Sequence, residues 1–359
     1  MNTRLRARKA SLLDVAMFAT QFRALISAGI PINQTLSMLA DSLGRQAPAL
    51  ADGLSMIVAD IEDGRTLAYA FRKHERLFGR LCVEMIATGE TTGTLERNLA
   101  DIADDCEARH RNRASLLSAL IEPALIVVVG LCVCYILLTI TVPQFKELYA
   151  ALTDAGQLPL PTRMLIGLSD FLVSPFGIIS ILVVICCAIA LSVAVTKSKR
   201  LRYRAHCLIL KMPLLGDLAL LDGVARACRT LAIVYRSVGE IPLGIELAAH
   251  AAGNMRVSEA FEDVGRGVYE GRLVWESMHE TQLIPEIAVH MTRSGEESGQ
   301  LDELLFKVAE TFETRVRYGK ERLVTVLRYA LLLVMGGFVL NVLLAVYLPV
   351  FDLIDQLHK

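Results

Sequence analysis

The sequence lacks the local patterns by which a chain binds a nucleotide, holds a catalytic metal or activates a nucleophile. No GxxxxGK[ST] stretch occurs: Gly319-Lys320 is followed by Glu321, so the chain is not itself a P-loop ATPase. Gly265-Arg266-Gly267 lacks the strand context of a phosphate loop. There is no HExxH, nucleophile elbow or EF-hand loop, and none of the seven histidines pairs with another at ligand spacing. Overall basicity is missing too. A formal net charge of −1 gives no electrostatic footprint for a nucleic-acid partner. Eight cysteines are scattered, with no metal-finger spacing, and Cys132 and Cys134 stand too close for a redox CxxC. They read as reduced, small hydrophobes. The only tryptophan, Trp275, sits in Leu273-Val274-Trp275-Glu276-Ser277-Met278 and reads as core. The expectation is a chain with no enzymatic activity, no metal and no cofactor.

What is present is hydrophobicity. A mean hydropathy of +0.46 and 53% hydrophobic residues are high for a soluble protein of 359 residues. Between Ala114 and Phe145 the only charge is Glu122, and the stretches from Phe171 to Thr196 and from Tyr329 to Phe351 have none. Each exceeds the roughly 20 apolar residues that a helix needs to cross about 30 Å of hydrocarbon. The basic start MNTRLRARKASLLD is followed only by a broken apolar stretch containing Gln21, Arg23 and Pro31, which is no cleavable signal. Lys and Arg number 15 in residues 1–113, 2 in 143–175, 19 in 196–328 and 1 after 349. Clusters at Arg109/Arg111/Arg113, Lys197/Lys199/Arg200/Arg202/Arg204 and Arg315/Arg317/Lys320/Arg322 flank the apolar runs and read as topology determinants facing anionic lipid. The expected layout is a cytoplasmic module over 1–113, a first span over 114–145, a periplasmic loop over 146–170 and a second span over 171–196. A second cytoplasmic module follows over 197–322, then a third span over 323–351 and a periplasmic tail over 352–359.

The chain repeats itself. ATGETTGTLERNLADIADDCE (87–107) and RSGEESGQLDELLFKVAETFE (293–313) match at an offset of 206, which also carries Pro143 onto Pro349 and Phe145 onto Phe351. Earlier, Ile30-Pro31 lines up with Ile241-Pro242 at an offset of 211, so the second copy is a few residues shorter. The second span has no counterpart and acts as an adaptor that returns the chain to the cytoplasm. Leu301, Leu304, Leu305, Val308, Ala309 and Phe312 form the stripe of an amphipathic helix, as do Leu95, Leu99, Ile102, Ala103 and Cys106. Breakers at Ala28–Pro31, Asp63-Gly64 and Gly89–Gly93 divide each module into several short helices. No stretch alternates with period two. The fold class is an all-α membrane protein, with two homologous cytoplasmic helical bundles and three transmembrane helices.

An apolar helix ending in Gly-Ile-Pro, a G-E-x-x-G-x-L turn opening a long helix, and the span start Glu122-Pro123-Ala124-Leu125-Ile126-Val127-Val128-Val129-Gly130 together carry a resemblance. In this order, and duplicated, they resemble the type II secretion system F-domain family, over nearly the whole chain. The second copy has Arg328-Tyr329 where that family has Glu-Pro. The resemblance implies modules of about six antiparallel helices and a platform protein of the bacterial inner membrane, its N-terminus cytoplasmic and its C-terminus periplasmic. It implies an oligomer that joins a cytoplasmic hexameric assembly ATPase to extraction and polymerisation of prepilin, alongside inner-membrane alignment proteins. A type IV pilus, of type IVb by the short start, is the first reading and a type II secretion pseudopilus the second. A transporter or channel, or an intramembrane enzyme, would need more polar groups at membrane depth than Glu122 alone.

Several residues stand out for function. Gly89, Glu90 and Gly93, with Gly295, Glu296 and Gly299, read as a helix stop and start, a left-handed glycine followed by a Thr or Ser cap. The competing reading makes Glu90 and Glu296 exposed carboxylates for the ATPase or a neighbouring subunit. Pro31 and Pro242 read as helix-starting prolines. Pro123 beside Glu122 removes a backbone donor within a span. Glu122, an ionisable group at membrane depth, has Arg328 as its repeat equivalent, and the two are expected to pair across a pseudo-symmetric interface.

Overall fold

The computed structural model describes residues 10–137 and 215–357, with isolated positions between 167 and 212. Most of the second expected span, the anchors Pro143 and Phe145, and the basic residues Lys197, Lys199, Arg200 and Arg202 lie outside the described residues, as do the side chains of Arg113, Pro349 and Phe351. Among the described residues all regular structure is helical. We number the helices α1 (Leu12–Ser27), α2 (Ile32–Leu43), α3 (Pro48–Glu62), α4 (Leu67–Lys73), the single turn α5 (Glu75–Phe78), α6 (Arg80–Thr92) and α7 (Leu95–Ile136), followed by α8 (Leu215–Val238), α9 (Ile241–Ala251), α10 (Met255–Tyr269), α11 (Val274–Glu280), α12 (Glu286–Ser298) and α13 (Leu301–Leu357).

The chain divides into two compact units, one made of Met1–Ser115 with His206–Gly319, the other of Leu116–Ala205 with Lys320–Lys359. The first unit holds both repeats. In the first repeat, Phe18, Phe22, Phe71 and Phe78 form an aromatic cluster with neighbouring ring centroids 4.9–6.1 Å apart, and Leu36, Leu54, Ile57, Met85 and Leu99 close around it. In the second, Leu231, Ile245, Val257, Phe261, Met278, Leu305 and Phe312 do the same work with one buried phenylalanine for each helix that carries one. Each of these fully buried side chains contributes about 1.5–3 kcal/mol of hydrophobic stabilisation, which offsets the entropy of fixing many short helices.

The buried positions correct the register of the repeat. Val15, Phe18, Phe22 and Leu36 of the first copy correspond in burial to Val224, Ala227, Leu231 and Ile245 of the second, an offset of 209. Helices α2 and α9 start at Ile32 and Ile241, the same 209 apart. Pro31 is therefore the N-cap of its helix, whereas Pro242 lies inside the first turn of its own, and the two prolines are not structural equivalents. Both positions tolerate proline because a first-turn N–H has no intrahelical acceptor.

Two helices are longer than their module. Helix α7 runs 42 residues from the repeated turn into the apolar stretch, through Pro123, which is buried, and α13 runs 57 residues without a break. A proline inside a helix deletes one i→i−4 bond without ending the helix when its neighbours hold the backbone. Leu301–Ala345, which begins in the first unit and continues into the second, contains a window of mean hydropathy 2.2 with none of that window buried, long and apolar enough to cross a membrane. Ile121–Ile136 is apolar but shorter.

Candidate functional site

The repeated turn is built the same way twice. Gly89 and Gly295 are not breaks in the chain, as the sequence pattern had them, but buried residues inside α6 and α12. A Cβ on Gly89 would stand 2.7 Å from the Leu95 Cα, and one on Gly295 would stand 2.9 Å from the Leu301 Cα. Glycine is thus required by the close return of the next helix across this one. Four residues on, Gly93 and Gly299 end their helices in the left-handed region, with φ of 73° and 72°.

Glu90 and Glu296 lie between these glycines, half-buried, and each reaches back to a helix that begins more than 20 residues earlier. Glu90 Oε1 and Oε2 accept from the backbone N–H groups of Leu67 and Ala68, both at 2.7 Å, at the start of α4. Glu296 accepts from Val274 and Trp275, both at 2.9 Å, at the start of α11. Two further donors are met locally, Tyr69 N–H by Thr66 Oγ1 and Leu273 N–H by Glu276. A carboxylate is well suited to this place, since it accepts two bonds and carries the sign that a helix N-terminus favours. Both carboxylates are spent on this internal cap. This gives Glu90 and Glu296 a structural part that the local pattern does not contain, a tertiary cap on α4 and α11, which are other helices than those that follow Gly93 and Gly299.

A second group of charges joins the two repeats. Helix α8 packs against α6, and its Ile233, 2% exposed, belongs to the core of the first repeat. Around it Arg236 donates to Asp101, Arg109 Nη2 approaches Thr230 Oγ1 at 3.4 Å, and Arg109 pairs with Asp105, whose side chain is 5% exposed. At the outer edge Arg80 of the first repeat reaches Glu246 of the second at 2.8 Å, while within the second repeat Arg229 of α8 makes a two-pronged contact with Glu313 of α13 at 2.6 and 2.7 Å. Burial pushes the Asp101 carboxyl above the ordinary carboxylate value, against the pull of the Arg236 guanidinium. The sequence reading missed this seam. Its signal was present: α8 carries Arg229, Thr230, Ile233 and Arg236 on a helix whose other faces are also apolar, a pattern that requires packing on more than one side.

In the second unit Arg328 Nη1 donates to Glu122 Oε1 at 2.8 Å, and the Arg328 guanidinium lies 5.4 Å from the Tyr329 ring centroid. The side chains are 33% and 58% exposed in the absence of lipid. Near them, Gly130 admits Met335, whose Cε would stand 2.6 Å from a Cβ at that position. Repeat-equivalent residues therefore meet, an acid on α7 and a base on α13. Trp275 lies against the core of the second repeat, with the Arg293 guanidinium 4.8 Å from its ring centroid. Among the described residues no three His, Cys, Asp or Glu side chains group as a metal site.

Comparison with known proteins decides the family. Residues 18–143 and 227–349 each match the family model described as type II secretion system, protein F. The chain belongs to the type II secretion system protein F family. The two matched segments are the two repeats, each running from its first helix into its apolar stretch. This family member is 30% identical over 346 residues to the type IV pilus assembly protein PilC of Pseudomonas aeruginosa, covering 96% of the chain and 91% of that protein. It is 31% identical over 349 residues to the type II secretion system protein F of the same organism, covering 97% and 84%. A type IV pilus assembly protein PilC of Thermus thermophilus is 30% identical over 353 residues, covering 98% and 85%.

Proposed function

We propose that the protein is the inner-membrane platform of a type IV pilus machine, holding a cytoplasmic assembly ATPase on one side and guiding prepilin out of the bilayer on the other. The observation that carries this reading is the unbroken passage of α7 and α13 from a repeated, rigidly capped turn into apolar sequence. Helices that continue from the helical body into apolar sequence suit a platform between a motor and a filament. The Lys and Arg bias supports both repeats lying in the cytoplasm, three spans and a periplasmic C-terminus. The Glu122–Arg328 pair supports a packed, partnered intramembrane contact between the two repeats, because a lone charge there is costly. Self-assembly and contact with alignment proteins belong to the same reading.

A type II secretion platform is the second reading, and the 31% identity to a protein F over 97% of the chain favours it alongside the first. Deleting the chain in its native host tests the proposal. Processed pilin is expected to accumulate in the inner membrane while surface filaments disappear and return on complementation. Filaments that persist at normal length and number without the chain would contradict it. Loss of secreted folded enzymes with intact pili would select the second reading.

A further inference from the structure

The interface between the two repeats has two sides, and the chain carries each side a second time. The covered side is the α6–α7 face of the first repeat, with Arg80, Leu81 and Asp101; the covering side is the outer face of α8 and α9, with Thr230, Ile233, Arg236 and Glu246. At the offset of 206, the counterpart of the covered side is the α12–α13 face of the second repeat. There Glu286, Ile287, His290 and Ser294 are exposed and, with Met291 and Leu304, line a groove of about 410 Å³ that stands open among the described residues. At the offset of 209, the counterpart of the covering side is the outer face of α1 and α2. Its residues Gln21, Ala24, Ser27 and Ser37 are exposed as well.

At the open faces the covered-side charges change sign, Arg80 to Glu286 and Asp101 to Lys307, while the covering-side charges Arg236 and Glu246 become Ser27 and Ser37. In the internal interface a base on α8, Arg236, meets an acid on α7, Asp101. In the open pair the position of Asp101 is held by Lys307 on α13, and the position of Arg236 by Ser27, which binds the exposed carboxylate of Glu96. The Glu96 carboxylate of α7, held beside α1 by Ser27, would face Lys307 of α13, which pairs at 2.9 Å with Glu310 of its own helix, so the signs at this position stay complementary. Small residues at Ala24 and Ser27 leave room for Ile287, which is 39% exposed.

We propose that the α12–α13 face of one copy binds the α1–α2 face of a second copy, repeating between chains the contact that the two repeats make within one. Because the two faces differ, the contact is head-to-tail: it closes into a ring or continues, according to the rotation between copies. This inference deepens the self-assembly part of the platform reading by naming its surface.

Photo-cross-linking of the full chain in membranes tests it, using His290→benzoylphenylalanine in one copy and an affinity tag on a second, probe-free copy. The expected product joins position 290 to a tagged peptide from residues 12–43. Ala24→Glu in the tagged copy should remove most of that product, and the same substitution in the probe-bearing copy should leave it unchanged, since only one side of each contact is then altered. Lys307→Glu in the probe-bearing copy should lower the yield, and Glu96→Lys in the tagged copy should restore it. A product on another protein or on another surface, no product at all, or equal sensitivity to Ala24→Glu in either copy would overturn the proposal. None of those outcomes bears on whether deletion of the chain abolishes filaments, so failure here is separable from failure of the platform reading.

Discussion

The two repeats of this protein differ most where they face outward. Their cores and their turns share one plan: a glycine under the crossing helix, a carboxylate on the start of a helix 22 residues back, and a left-handed glycine before the long helix. Yet α1 is buried on one face and exposed on the other, while its counterpart α8 is covered nearly all round, by its own repeat and by the first. Duplication supplies two copies of one module, and changes on one helix face then convert the second copy into a partner for the first. Substituting at the shared features should affect both repeats alike, whereas substituting at the divergent face should affect only their union.

The largest expected effect lies in the second unit, where the repeats meet through charges of opposite sign. Glu122→Arg and Arg328→Glu should each abolish filament assembly in a host that depends on the chain, and the double variant should recover a substantial part of it. Two harmful single variants with no recovery in the double would remove the pair from the mechanism.

Next comes the seam. Asp101→Ala strands the Arg236 guanidinium in a partly buried place and should cost about 3 kcal/mol, by the rule that breaking a buried pair leaves an uncompensated charge. The Asp101–Arg236 double-mutant cycle should show coupling, measured by denaturant unfolding of the detergent-solubilised full chain. The folded state holds the Asp101 proton more tightly than the unfolded one, so this group's contribution to stability declines as pH rises from the ordinary carboxylate range through its raised folded value. Asp101→Asn should flatten that part of the pH profile. A seam of no importance would give single-variant losses below about 0.5 kcal/mol, the level of an ordinary surface change.

Smaller, and equal in the two repeats, are the effects at the turn. Gly89→Ala and Gly295→Ala force a methyl against the backbone of Leu95 and Leu301 and should each cost about 2 kcal/mol despite alanine's better helix propensity. Glu90→Ala and Glu296→Ala should each cost about 2 kcal/mol, as capping bonds to two backbone donors are lost, and Gln should recover part of this. If the Ala variants were as stable as the parent but lost a partner protein, the carboxylates would be contact groups after all.

Much of this was legible in the chain itself. The duplication, the all-helical pattern, the stripes from Leu95 to Cys106 and from Leu301 to Phe312, and the left-handed stops at Gly93 and Gly299 follow from local periodicity and turn chemistry, which need no tertiary information. The role of Glu90 and Glu296 was not legible, because their partners at Leu67 and Val274 lie a helix pair away and no local pattern links them. The register of Pro31 and Pro242 misled for a related reason: both prolines suit a helix start, but the start has some freedom, and only the buried positions fix which residues correspond. The meeting of Glu122 with Arg328 was readable because the repeat itself put opposite charges at one position.

The central claim is that this two-repeat body is the link between a cytoplasmic motor and pilin. Affinity purification of the full chain from native membranes, followed by mass spectrometry, tests it most directly, with Glu90→Ala and Glu296→Ala variants alongside at matched expression. A hexameric pilus-type ATPase and prepilin are expected to be recovered with the parent chain, and in proportion to folded protein with the variants. Recovery of neither partner from a host that is assembling filaments would contradict it.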